Sequence, residues 1–179
     1  IFLAYGTTPY VSSLQATKQI DKLNYFISFG RKSSLLIGIV SAGLLIFVSS
    51  QLVNFFEPTP NVSSKAISYL TLRSLGLPFY LLNMHSTAVL RGMKYPKITL
   101  YSSVIVGVSN VVLSYFLGIV LNFGIIGIAV SSSIAFFISS LYSTKVLIDT
   151  QTQTTNSVIS EEKKEISKKF FSVGLFIFI

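Results

Sequence analysis

The residues best placed to do chemistry are polar groups set inside long apolar stretches. Ser103, Gly107, Asn110 and Ser114 recur at steps of four, three and four residues, a spacing that puts them on one face of a helix. An Asn side chain carries two donors and an acceptor that hydrocarbon cannot satisfy, so Asn110 must meet another helix or a wet cavity. Gly76, Tyr80, Asn83 and Thr87 form a second stripe, and His85, the single histidine, lies on a different face. Groups of this kind hold a solute or an ion in passage. Covalent catalysis asks for more: a nucleophile with its base, or paired carboxylates. All six acids, Asp21, Glu57, Asp149, Glu161, Glu162 and Glu165, fall in connectors or at the ends of apolar runs, and there is no Cys and no phosphate-cradling glycine loop. The expectation is therefore no enzyme, no catalytic residue, no metal site and no cofactor.

The elements that position these groups follow from the charge map. Of the 179 residues 51% are apolar and 11% charged, with mean hydropathy +0.68, where soluble domains average about 25% charged residues. A membrane-spanning helix needs about 20 mostly apolar residues. Uncharged runs cover Ile1–Thr17, Ser33–Phe56, Ser74–Leu90 and Ile98–Thr144, the last of 47 residues, long enough for two helices broken at Asn122-Phe123-Gly124. This predicts an all-α, polytopic transmembrane helix bundle with spans near 1–17, 34–56, 66–90, 98–121 and 124–144. Strands of a membrane barrel would alternate in polarity, and stretches such as Ile98–Val106 do not.

The connectors alternate in charge. Lys18–Lys32, Arg91–Lys97 and Lys145–Lys169 are basic, while Glu57–Arg73 is mixed and Asn122–Gly124 uncharged. The positive-inside bias puts the three basic connectors on the cytosolic side or its organellar equivalent. The net charge of +8 thus marks orientation rather than a nucleic-acid face, and the expected partner is the lipid bilayer. Gln151–Ser157 is polar low complexity and Glu161–Lys169 a mixed charge run, so residues 149–169 read as a linker closing a first lobe (1–148), with 170–179 opening a further helix. The chain begins and stops inside uncharged stretches, which suggests an internal piece of a longer polypeptide.

Within the spans, Ser34, Gly38 and Ala42, and Gly127, Ser131, Ala135 and Ser139, step by four and suit close helix packing. Pro78 should kink the third span near its middle and free a carbonyl near Ser74. Arg73 is expected at the outer interface or at a neighbouring helix end, leaving no basic residue at mid-span.

The order of these residues carries a resemblance. Tyr69-Leu-Thr-Leu-Arg-Ser-Leu-Gly-Leu-Pro78, then Leu82-Asn83 and Leu90-Arg91-Gly92-Met-Lys94, resembles the multidrug and toxin extrusion (MATE) transporters, particularly their DNA-damage-inducible protein F-like branch, which has a stretch like YLRIRxLGxP followed by GxxRGxxDTKTP. Thr7-Thr8-Pro9 with Val11 and Gln15 is similar to that family's TTPLVAQ, Asn110-Val-Val-Leu-Ser114 to its NxxLD, and Gly124-Ile-Ile-Gly127 to its GxxGAAIAT opening. The resemblance implies a two-lobed, twelve-helix antiporter for small organic or xenobiotic compounds, coupled to protons or sodium, of which this chain is helices two to six of the first lobe and the start of seven. It also implies that Asn83, Asn110 and Ser114 line the cavity. Because Ser114 stands where proton-coupled relatives carry an acid, coupling is expected to reside outside this stretch. A lipid-linked oligosaccharide flippase of the same superfamily and a non-transporting membrane scaffold are the alternatives.

Overall fold

A computed structural model describes residues 2–151, 166–168 and 170. Among these residues there is no strand, and the helices run α1 Phe2–Ala16, α2 Ile20–Asn54, α3 Pro60–Ser74, α4 Leu77–Gly92, α5 Pro96–Ser114 and α6 Gly124–Thr150, with a π-helical turn, Tyr115–Val120, continuing α5. Three of them are long and apolar enough to cross a membrane: α2, α5 with its π turn, and α6. Nearly all of the linker expected at 149–169, and the helix expected from 170, lie outside the described residues.

Two boundaries differ from the charge map. Helix α2 starts at Ile20 rather than near 34, so most of the first basic connector is helix. Leu23, Phe26, Ile27 and Gly30 explain this: they form a buried stripe at helical spacing, and burying it repays the ordering of those turns. The second difference is in the third span, which is interrupted where the Pro78 kink is expected, by a two-residue turn that keeps right-handed helical angles and divides it into two helices. Helix α3 stops at Ser74, Leu75 and Gly76 form a turn, and Pro78 lies in the first turn of α4. A proline there sacrifices no hydrogen bond, because first-turn N–H groups have no intrahelical acceptor; α3 and α5 also start on prolines, Pro60 and Pro96.

Gly38 of α2 lies directly on the backbone of Pro78, where a Cβ would stand 2.9 Å from the proline nitrogen and 3.2 Å from Leu77 O. Towards one end of α3–α4, Ser63 Oγ donates to Asn54 Oδ1 of α2 at 3.1 Å; towards the other, His85 Nε2 lies 3.3 Å from Ile27 O. These contacts make α2 antiparallel to α3–α4. His85 is fully buried, packed on Gly30 and flanked by Phe26 and Phe170, so it serves helix packing and a helix-helix hydrogen bond.

The tight core gathers at the basic end. Val11 and Leu14 of α1, Leu23, Phe26 and Ile27 of α2, Val89 and Leu90 of α4 and Leu147 of α6 are buried together there. Gln151 Nε2 also donates to Asn24 O at 3.2 Å, fastening the end of α6 to the start of α2. Away from that end the helices present Leu36, Leu44, Phe47, Val108, Val111 and Ile119 outward, as lipid-facing surfaces do.

At the opposite end the turn from the π segment into α6 uses Asn122 (φ 55°) and Gly124 (φ 55°), residue types that tolerate the left-handed region. The break expected at Asn122–Gly124 is thus where the chain reverses. Gly127 then comes back onto the Leu117 carbonyl, where a Cβ would stand 2.7 Å from the oxygen, so α6 leaves the turn in contact with the π segment's backbone.

Candidate functional site

Helix α6 carries one face that organises the polar groups. Ser132, Phe136, Ser139 and Ser143 recur at steps of four, three and four, and each meets a residue from another helix. Ser132 Oγ accepts from Asn110 Nδ2 of α5 at 3.0 Å. Phe136 receives the Tyr80 ring edge-on at 5.0 Å and the Arg73 guanidinium over its face at 5.2 Å. Ser139 and Ser143 approach Asn83 Oδ1 at 3.3 and 2.8 Å. From Ser132 to Ser143 the face spans about 16 Å, at 1.5 Å per residue.

The two asparagines use this face differently. Asn110 is occupied at both ends of its amide: Nδ2 donates to Ser132, and Oδ1 accepts from Ser114 Oγ at 3.0 Å. Ser114 Oγ also lies 2.6 Å from Ser131 Oγ, and Ser131 donates to Ile128 O at 2.8 Å. This cluster holds the end of α5 to the start of α6. Asn83 instead collects donors on one atom. Ser102 Oγ of α5 (3.0 Å) and Ser143 Oγ (2.8 Å) fill the two lone pairs of Oδ1, while Ser139 turns its proton to Ser102 O at 3.0 Å. With Oδ1 fixed, the half-buried Asn83 side chain presents its NH₂, which has no acceptor among the described residues. Two oriented donors on a rigid helix have the geometry to meet an acceptor.

The expected stripes are partly redrawn. On α4 and the turn before it, Gly76 packs on Ser133, Tyr80 on Phe136 and Asn83 on Ser139 and Ser143, so the stripe faces α6; Thr87 is spent on its own helix, donating to Asn83 O at 2.8 Å. On α5, Asn110 and Ser114 face α6, but Ser103 is exposed and bonded to Thr99 O, and Gly107 meets nothing. Fully buried Ser102 takes the inward place. Asn83 and Asn110 belong to separate clusters. Pro78 holds backbone against α2, and the carbonyl that a side chain takes over near it is Leu72 O, which accepts from Ser133 Oγ at 3.1 Å. Ser131 and Ser139 belong to the four-residue stripe read above as packing, whereas Ser132 and Ser143 lie outside it; the second periodicity, Ser132, Phe136, Ser139 and Ser143, is the available signal.

Arg73 corrects the charge map. The antiparallel pairing sets Ser63 beside Asn54 and Pro78 beside Gly38, so Arg73 is level with about Gly43, near the middle of the charge-free stretch Ser33–Phe56. Phe136, beneath its guanidinium, lies twelve residues from Gly124 and nine from Lys145. The helix break causes this, because α3 and α4 together run from Pro60 to Gly92 and their junction falls at mid-depth. Arg73 therefore stands between the Asn110 and Asn83 clusters, level with the middle of that charge-free stretch. On a neighbouring face of α6, an open hollow of about 320 Å³ lined by residues including Leu72, Phe79, Ile134 and Phe137 is apolar.

Long apolar helices joined by charged turns, with hydrogen-bonded polar clusters between them, define an integral, multi-pass membrane protein. The MatE family model matches residues 1–116, and the chain belongs to the MATE family. It is 37% identical over 109 residues to Protein DETOXIFICATION 43 of Arabidopsis thaliana, a match covering 60% of this chain and 21% of that protein. Over 123 residues it is 32% identical to Lipid II flippase MurJ of Thermosipho africanus (strain TCF52B), covering 66% and 26%. Among solved structures, the inward-facing conformation of a multidrug resistance MATE family transporter of the MOP superfamily superposes with TM-score 0.84 at 19% identity, covering 97% of this chain and 40% of that one. Lipid II flippase MurJ in its inward closed conformation gives 0.69 at 25% identity, covering 99% and 37%. The chain thus spans about a quarter or less of its curated relatives.

Proposed function

We propose that these residues form most of the first lobe of a secondary active transporter, a cation-coupled antiporter, driven by protons or sodium, that exports small organic or xenobiotic compounds. In this reading residues 1–148 belong to the lobe, 149–169 connect the lobes, and the α6 face lines the pathway through Asn83, Asn110 and Ser114. The observation that carries it is Asn83: a mid-bundle amide whose oxygen is locked by two serines and whose donors stay open is built to meet something other than protein. A scaffold would have no use for it. Coupling resides outside this stretch, because no acid lies within its apolar runs. The test is the full-length protein in proteoliposomes preloaded with ethidium. An inward proton or sodium gradient is expected to accelerate ethidium export, and dissipating that gradient should abolish the gain; export indifferent to both gradients refutes the coupling.

Arg73 at mid-span gives the flippase reading one observation in its favour, together with the 32% identity to MurJ. A lipid-linked pyrophosphate carries several negative charges, however, and Arg73 is the single Lys or Arg within 33–56, 66–90 and 98–144. Export of small compounds is the better fit to one cation.

A further inference from the structure

We infer that Arg73 is an anion-binding residue at the middle of this lobe, and that the compound it holds carries one carboxylate beside a flat apolar body. The inference rests on the transporter reading above and adds organic monoanions to the compounds this lobe would take. Three observations support it. The first is depth: Arg73 lies level with Gly43 and Phe136, near the centres of the charge-free stretches of α2 and α6. Its position at the α3–α4 break, with Leu72 O taken by Ser133 on one side and Pro78 pressed on Gly38 on the other, leaves little freedom to slide towards either end.

The second is the state of the guanidinium. It is half-buried, and its partner is the Phe136 ring at 5.2 Å; among the described residues no carboxylate pairs with it and no oxygen accepts from it. Asp21, Glu57 and Asp149 lie in connectors or near a helix terminus. A cation at mid-membrane depth without a counter-ion is expensive to keep, and such residues pair with something or mark a pathway. Above the Phe136 ring Arg73 has no protein acceptor for its N–H groups among the described residues, and a guanidinium fork matches a carboxylate through two parallel hydrogen bonds.

The third is the surroundings. Tyr80 stands edge-on to the same Phe136 ring at 5.0 Å, so the charge sits on an aromatic floor, and Asn83, about one turn along α4 from Tyr80, supplies the unpaired NH₂. A monoanion balances the one cation. A pyrophosphate would leave at least one charge unmatched where water is scarce.

The experiment uses the purified full-length protein and radiolabelled 2-naphthoate, with 2-naphthamide and 2-naphthylmethylammonium as neutral and cationic counterparts. Naphthoate is expected to bind at least about tenfold more tightly than either, a charged hydrogen bond being worth roughly 10- to 100-fold. Arg73→Gln should lower naphthoate affinity about 30-fold and leave naphthamide within threefold. Where Arg73→Gln fails to give monodisperse protein, Arg73→Lys decides, because it keeps the charge and loses the fork; a five- to tenfold loss for naphthoate alone is expected. Equal affinity for the three probes, or unchanged naphthoate binding in the variant that folds, overturns the assignment, as does a wild-type protein that binds no naphthoate because a carboxylate elsewhere in the full chain already occupies Arg73. Displacement of naphthoate by geranyl pyrophosphate at tenfold lower concentration than by naphthoate itself overturns the monocarboxylate and favours a pyrophosphate. Gradient-driven ethidium export is measured on the same preparations: export without Arg73-dependent naphthoate binding refutes the anion site alone, and binding without gradient-driven export refutes the antiporter reading alone.

Discussion

Placing a methyl group on Gly38 tests whether the contact between α2 and the α3–α4 break is as close as described. A Cβ there would overlap Pro78 Cα and stand 2.9 Å from Pro78 N and 3.2 Å from Leu77 O, whereas relaxed contacts between heavy atoms lie near 3.5–4.0 Å. All three neighbours are backbone. None can rotate away, so α2 and α4 must separate by about 1 Å, a gap that forfeits a quarter to a half of the dispersion energy along the contact. Overpacking typically costs about 1–3 kcal/mol, and Gly38→Ala should fall at the upper end. Gly43 is the control: it lies on the same helix with nothing within 4 Å of its Cβ position, so Gly43→Ala gains up to about 1 kcal/mol of helix propensity. The two variants should differ by about 3 kcal/mol or more, which at roughly 2 °C per kcal/mol for a chain of this size or larger is about 6 °C in the melting temperature of the purified full-length protein. Melting temperatures within about 1 °C of each other would refute the close contact, and with it the account of why Pro78 sits where it does.

Asn83→Leu should insert normally and lower ethidium export about tenfold, because the presented NH₂ is lost while Ser102 and Ser143 retain Ser139 and Ser140 O as neighbours; unchanged export removes Asn83 from the pathway. Asn110→Leu, which breaks bonds to Ser132 and Ser114, should cost about 1 kcal/mol of stability, the usual worth of a hydrogen bond between membrane helices, with reduced export and near-normal insertion; a protein that no longer inserts would make the cluster purely structural. Cysteines placed at Lys18, Lys94 and Lys145 should label from one side of the membrane and a cysteine at Glu57 from the other, and labelling of all four from one side would undo the span count. His85→Gln should leave the ion dependence of export intact, since His85 is enclosed by Gly30, Phe26 and Phe170; loss of proton dependence would make it the coupling residue of this lobe.

What the sequence disclosed follows from which signals survive without a third dimension. Helix type and the turn at Asn122–Gly124 were legible because hydrocarbon thickness and left-handed backbone impose themselves residue by residue. The start of α2 was not, because charge-counting treats Lys22, Arg31 and Lys32 as the edge of a span, while Leu23, Phe26 and Ile27 between them form a buried stripe that extends the helix. Pro78 was read as a kink because a lone proline permits either a bent helix or the first turn of a new one, and Gly38 on α2 with Ser133 on α6 decides which. The polar stripes on α4 and α5 were visible as periodicities, but the serines that lock Asn83 lie 19, 56 and 60 residues away in sequence, a relation no local pattern contains.

For the proposed transporter, the contrast between the two asparagine clusters bears on where a pathway would run. A cluster whose donors and acceptors are matched internally, as at Asn110, Ser114, Ser131 and Ser132, gains from staying closed and holds α5 on α6. The cluster at Asn83 is matched only on its oxygen, so α4 keeps an open donor pair, and about one turn away Tyr80 and Phe136 carry the Arg73 charge. The place of the Arg73 charge depends on the junction of α3 and α4. A continuous helix would have bonded Leu72 O to Gly76 N and freed Ser133; as built, Gly76 bonds Arg73 O instead, at 3.2 Å, Ser133 takes Leu72 O, and Arg73 ends its helix at mid-depth. The same break that seats Pro78 on Gly38 thereby determines where in the membrane a positive charge can stand, and it links the packing of α2 to the chemistry of the α6 face.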